Sequence, residues 1–280
     1  SIDANVPYST ADFVFGSPQL DDDGDATHDA RMFFDKSKNA FRVGATTSTE
    51  WDDSNVGINS IVLGSGTAAG NQSFAMMGAT ANGVRSIAIG NNSSINAFGA
   101  DALALGPNTE VQFLNSIAIG TNARVRGAST GSIALGHDID VSTADYSMAL
   151  GLGDATGASP QVSGTSSFGI FMCDQSGVDL ADANTFSILG ASGGVGIGTI
   201  TPSTLLDVSG TLKIADGGET CSVAGYAGML RYNSGNIDYC DGSGWTTLAA
   251  SGNAGDQISD ADNDTKIQVE ESADEDIIRF

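Results

Sequence analysis

Basic residues are scarce: 11 lysines and arginines stand against 34 acids, a formal net charge of −23 over 280 residues. Phosphate backbones and anionic lipid surfaces would be repelled, which argues against nucleic acid as a partner. Aromatic residues make up only 7% of the chain, so a conventional single core is thin for this length. No run of about 18 apolar residues occurs, and no membrane insertion is expected of this segment. The chain opens at Ser1 without an initiator methionine or a signal-like apolar stretch, which implies processing or an excerpt of a longer polypeptide. The three cysteines, Cys173, Cys221 and Cys240, and the two histidines, His28 and His137, are too few and too badly spaced for a zinc site. Cys221 and Cys240 flank one compact glycine-rich segment and can pair as a disulfide in an oxidising compartment. Cys173 then reads as a small buried hydrophobe.

What the chain has is glycine, 37 of them, with 40% hydrophobic and 16% charged residues. That balance excludes a disordered chain and points to a glycine-rich, repetitive fold. One short phrase keeps returning: SIVLG ending at Gly64, SFAMMG at Gly78, SIAIG at Gly90, ALALG at Gly106, SIAIG at Gly120, SIALG at Gly136 and SMALG at Gly151. The glycine steps are 14, 12, 16, 14, 16 and 15 residues. Within each phrase large apolar residues alternate with small ones, and period two means a strand. The alternation suggests a repeat core of Ile61, Leu63, Ile87, Ile89, Leu103, Leu105, Ile117, Ile119, Ile133, Leu135, Met148 and Leu150, with the small residues on a face close to another backbone. A unit of this length holds two short strands and two turns, which is one coil of a solenoid.

SIAIG, followed by NARVRG at Asn122 to Gly127 and then SIALG, resembles the YadA-like head of trimeric autotransporter adhesins. The resemblance covers about residues 57 to 153, and the same repeats occur in phage tail fibres. It implies a left-handed parallel β-roll packed as a homotrimer around a common axis. Farther on, VGIGTITPSTLLDVSGTLKI at 195 to 214 resembles a connector of tail-fibre and fibre-like adhesin sequences. GMLRYNSGNIDYCDGSGW at 228 to 245 resembles a small tail-fibre module, read as a hairpin with a turn at Ser234-Gly235. The expected fold is therefore all-β, an elongated homotrimeric fibre whose parallel β-roll has small β modules on either side. Its parts are an acidic N-terminal module at 1–53, the roll at 54–170, connector strands at 171–215, a hairpin module at 216–250 and the acidic start of a further unit at 251–280.

Candidate chemistry is sparse. Asp260, Asp262, Asp264 and Glu271 fall at positions 1, 3, 5 and 12 of a calcium-binding loop. Thr265 stands where the sharp-turn glycine belongs, and Lys266 to Glu270 alternate like a strand. A solvated, edge-protecting charge run accounts more simply for these residues and for the acidic run Asp21 to Asp25. No other cofactor is expected. His137 follows SIALG at a turn, and proximity to Asp138 and Asp140 makes no triad. The glycines 193 to 198 precede no helix-forming segment, so they make no dinucleotide loop. A polysaccharide depolymerase would place paired carboxylates on the strand faces, where Ser, Ala and Ile stand instead. The expectation is a non-enzymatic, extracellular fibre segment that attaches to a glycan or protein receptor on a host or cell surface, on either a virion or a bacterium. Loops at 124 to 131 and 154 to 161 are the first candidates for receptor contact.

Overall fold

A computed structural model describes residues 12–153, 157–172, 175–190, 194–215 and 218–248, together with the backbone of 257–259 and 266–268. The chain is all-β apart from three short 3-10 turns among these residues. It divides into two compact units, 1–194 and 195–280. No helix among the described residues is long and apolar enough to cross a membrane.

The first unit is a β-solenoid of nine coils. Each phrase supplies one strand of a parallel row that begins at Ile61–Leu63 and ends at Phe186–Leu189. The row is strictly in register: Ile117 pairs with Leu103 and Ile133, and Ala118 with Ala104 and Ala134. A second parallel row of seven strands runs from Thr80–Ala81 to Asp179–Leu180. Nine strands at the usual spacing of about 4.8 Å make a stack of roughly 40 Å. Two coils lie beyond the seven glycine phrases, and their strands are Phe168–Phe171 and Phe186–Leu189.

The core is narrow and lies between the rows. Ala75, Ala88, Ala104, Ala118, Ala134 and Ala149 are fully buried, and so are Ile95, Val111, Val125, Val141 and Val162 from the second row. On five of these coils one small and one branched residue share the core, and the coil of Ala75 adds Ala81, so the space that close packing must fill is narrow. The large residues of the first row therefore cannot also lie inside. Ile61 and Leu63, Ile87 and Ile89, Leu103 and Leu105, Ile117 and Ile119, Ile133 and Leu135, and Met148 and Leu150 all point away from this core, half-buried or exposed, the reverse of the inward assignment expected from the alternation. Near the last coils Gly169 replaces the alanine, and the buried Phe171 ring occupies the space a Cβ would take there.

Six of the seven phrases open with a buried serine, the fourth with Ala102, and all close with a glycine, for separate reasons. Ser132 Oγ donates to the Ala144 carbonyl at 2.7 Å and accepts the Ser147 amide at 3.1 Å, while Ser147 repeats this with Gly164 and the Ser167 amide at 2.9 and 3.1 Å. These hydroxyls satisfy turn amides and carbonyls that the narrow core shuts away from water. At Gly106, Gly120 and Gly136 the backbone has φ of 123°, 131° and 141°, and a Cβ would collide with the carbonyl oxygen of the next coil.

The first coil is closed by the preceding segment. Strands Phe13–Phe15, Ala30–Asp35 and Ala40–Ala45 form an antiparallel sheet whose last member pairs in parallel with Ile61–Leu63. Trp51, fully buried, donates from Nε1 to the Gly66 carbonyl at 2.8 Å and meets Phe33 edge-on at 6.0 Å. Arg42, also fully buried, donates to the Ser60 and Ala68 carbonyls at 3.1 and 3.0 Å, and burial pulls its guanidinium down to about 10. Solenoids need such end caps, because a terminal coil otherwise exposes its core.

The second unit holds a parallel strand pair, Val195–Ile197 with Leu206–Val208, and a three-stranded antiparallel sheet of Leu230–Asn233, Asn236–Cys240 and Trp245–Thr247. Ser234 and Gly235 turn the hairpin with φ of 48° and 94°, the positive values that a two-residue connection requires. Cys221 and Cys240 are joined by a disulfide with a Cα separation of 5.5 Å. Gln257–Ser259 pairs with Lys266–Gln268 in antiparallel fashion. The calcium candidates Asp260, Asp262, Asp264 and Glu271 lie outside the described residues, as does Cys173.

Candidate interaction face

The outward face of the first row carries uncovered or half-buried apolar side chains on coil after coil. Two large residues per coil stand on it, separated by the buried small one, so the paired register stacks them into two parallel ladders. Ile61, Ile87 and Leu105 remain 39%, 43% and 39% exposed, and Phe186 at the last coil 62%. Phe74, Met76, Phe168 and Ile170 occupy the same positions on their coils. A contiguous apolar face is a candidate interaction surface. It is also nearly free of charge: residues 57–153 carry five acids and three arginines, so most of the net −23 lies elsewhere.

Charged groups of the solenoid are largely consumed at its other corners. Arg85 makes a bidentate pair with Asp101 at 2.6 Å for both bonds, and the direct hydrogen bond holds the Asp101 carboxyl below the usual carboxylate range. The buried Asp140 carboxylate accepts from Arg126, and the hydrogen bond raises the Arg126 pKa. Asp138 accepts from Asn122 Nδ2 at 2.6 Å, and its second oxygen lies 2.8 Å from His137 Nδ1. His137 stands at the edge of the outward face, where its strand continues past Gly136.

The residues from 124 to 131 are not the free loop expected for receptor contact. Arg124–Arg126 is a strand of the second row, Gly127 donates to Gln112 Oε1 at 3.1 Å, and Thr130 donates to Asp145 Oδ1 at 2.7 Å. Arg124 Nη2 donates to Ser159 Oγ at 2.6 Å, tying the next candidate segment down as well. Residues 154–156 of that segment lie outside the described part. Phe98, 71% exposed and stacked on Phe113 at 6.3 Å, is a large aromatic presented to solvent on the solenoid.

Among the described residues no group of three or more His, Cys, Asp or Glu side chains is placed to hold an ion. The acidic run near the N-terminus is spent on its own backbone. Asp21 Oδ1 accepts the Asp53 amide and Asp52 Oδ1 the Asp22 amide, both at 2.7 Å. Asp25 accepts from the Thr27 amide and hydroxyl, hydrogen bonds that hold its carboxyl low. A shallow groove of about 340 Å³ is lined by Thr46, Thr47, Glu50, Ser65, Thr67 and Thr80, and Thr46 already hydrogen-bonds its one carboxylate.

Two functional features had signals that the phrase count passed over. The second-row core residues Ile95, Val111, Val125 and Val141 each follow a buried alanine by seven residues. The last two coils keep the pattern of hydroxyl, large, small, large in Ser167 to Ile170 and Thr185 to Ile188 without the closing phrase.

No curated protein matches the chain. The family model for the YadA head domain repeat matches in two copies, at residues 78–93 and 97–123. Both stretches lie within the solenoid: the first spans the second-row strand Thr80–Ala81 and the outward strand Ile87–Ile89, the second spans Glu110–Val111 of the second row and Leu103–Leu105 and Ile117–Thr121 of the outward row, and these coils match the YadA head repeat.

Proposed function

We propose that this chain is one protomer of a homotrimeric extracellular fibre segment that mediates attachment to a cell surface and performs no catalysis. The observation that carries this reading is the outward apolar double ladder on a core of alanine. Each coil leaves two large apolar side chains half-buried or exposed outside its alanine core, surface whose burial contributes about 25 cal/mol per Å². That burial is available where the ladders of several copies meet, and cyclic closure leaves none of them exposed. The disulfide of the second unit fits an oxidising, extracellular setting.

Within this class we favour a phage tail-fibre segment, because the stretches at 195–214 and 228–245 resemble tail-fibre connector and hairpin modules. The matched YadA head repeats favour the second reading, the head of a bacterial trimeric adhesin. In both, the partner is a surface glycan or protein, and three copies multiply a weak contact into avidity. The test is sedimentation of the purified chain with intact cells and with purified surface polysaccharide, alongside an Ile117→Asp variant. The trimer should bind, the variant should lose about 10²- to 10⁴-fold in apparent affinity, and the polysaccharide should keep its length. Shortening of the polysaccharide would instead support a depolymerase.

A further inference from the structure

The second unit carries an apolar surface of its own. Val195–Ile197 and Leu206–Val208 form only a two-stranded sheet, too small to be stable by itself in water. Its apolar side chains face outward: Ile200 is 98% and Leu205 77% exposed, and Ile197, Leu206 and Leu212 are each more than half exposed. Its polar groups are satisfied internally. The Asp207 carboxylate accepts the Ser203 amide and hydroxyl at 2.9 and 3.0 Å, and Thr204 Oγ1 donates to the Leu206 carbonyl at 2.7 Å. The segment is inside out for a monomer in water, with apolar groups outside and hydrogen-bonding groups turned on one another.

We propose that residues 195–214 form an interchain clasp, in which Ile197, Ile200, Leu205, Leu206 and Leu212 are covered by the same segment of the other copies of this chain. The proposal rests on the trimeric reading and adds a second site of association, separate from the solenoid face. Two observations select a second copy as the occupant. In a chain of net charge −23 this stretch carries one acid, Asp207, and one base, Lys213, so copies approach without like-charge repulsion. Only residues 190–194 separate it from the last strand of the outward ladder. A tether of that length spans at most about 20 Å, so copies joined along the ladder deliver this segment to one another at high effective concentration.

The test uses the full chain with Ile200→Cys in a Cys173→Ser background, where the Cys221–Cys240 disulfide leaves the new thiol as the one free cysteine. Mass by light scattering and maleimide labelling rate are read on the same sample, native and in denaturant. The clasp gives a mass of three protomers, labelling slowed about tenfold or more in the native state, and a disulfide-linked pair of chains on mild oxidation. A trimeric mass with a thiol as reactive as in denaturant overturns the clasp and leaves the solenoid trimer standing. A monomeric mass overturns both. Should that variant fail to fold, amide exchange on the unsubstituted trimer decides. Protection across 195–208 comparable to the solenoid strands supports the clasp, and exchange at the free-peptide rate overturns it.

Discussion

Ala118, Ser132 and Gly136 are the kind of residue a first reading passes over, yet they set the geometry of the coil. Ala118 is fully buried between its neighbours Ala104 and Ala134. Ala118→Leu should overpack this space at a cost of about 1 to 3 kcal/mol, seen as a lowered Tm, and an unchanged Tm would mean that the side chain points to solvent. Ile117 is its opposite. Ile117→Asp places a charge on the outward face, so circular dichroism should keep its strand signal while the assembly falls apart. Unfolding of the coil itself would return Ile117 to the interior. Tyr146 takes φ of 54° at an exposed turn where Asn59, Asn115 and Asn184 take 57° to 58°. Tyr146→Asn should therefore stabilise by about 1 kcal/mol, and a loss of stability would show that the ring contributes packing. The period of two was legible in every phrase, but which face is core was not, because alternation is symmetric between faces. The width of the coil decides it, and width depends on the second row.

Elements differ in how much of them the sequence revealed. The hairpin at 230–240 is legible because Ser234-Gly235 interrupts an alternating run, and glycine accepts the positive φ a tight turn needs. The second row is nearly invisible, since strands of two or three residues give too short a period to recognise. The cap is invisible for another reason: Arg42 reads as a surface cation until Ser60 and Ala68 surround it. In the hairpin module the Asp238 carboxyl is held below its usual range first by the Thr247 hydroxyl, then by Arg231 and Asn233. A folded-state pKa depressed in this way contributes stability that is present above the unfolded value of about 3.9 and is lost as pH falls through the folded value. The module should therefore loosen in acid below about pH 4, and Asp238→Asn should flatten that dependence; an equally steep loss in the variant would assign it to other carboxylates. Reducing Cys221–Cys240 should cost about 2 to 4 kcal/mol in this module, read as earlier urea unfolding of the Trp245 fluorescence. An unmoved midpoint would mean that the sheet holds without the bridge.

The distribution of charge over the chain matches a molecule that associates along one face. Acids crowd the stretches before residue 54 and after residue 250, while the solenoid and the segment 195–214 stay close to neutral. A trimer would carry 3 × −23, or −69, and its acidic ends would repel unless screened. Assembly should accordingly strengthen from low salt to about 0.15 M, where the Debye length shortens to about 8 Å. Fold class is legible over the solenoid because the repeat imposes it seven times, whereas alternation alone puts the large ladder residues inside and only the coil's dimensions place them outside. Light scattering on the intact chain at micromolar concentration and 0.15 M salt, with Ile117→Asp beside it, tests that face most directly. The expected result is a mass of three protomers for the chain and of one for the variant, with the same strand content in both. A well-folded monomer of the unsubstituted chain would contradict the assignment of the outward ladders as an interface, and the fibre function with it.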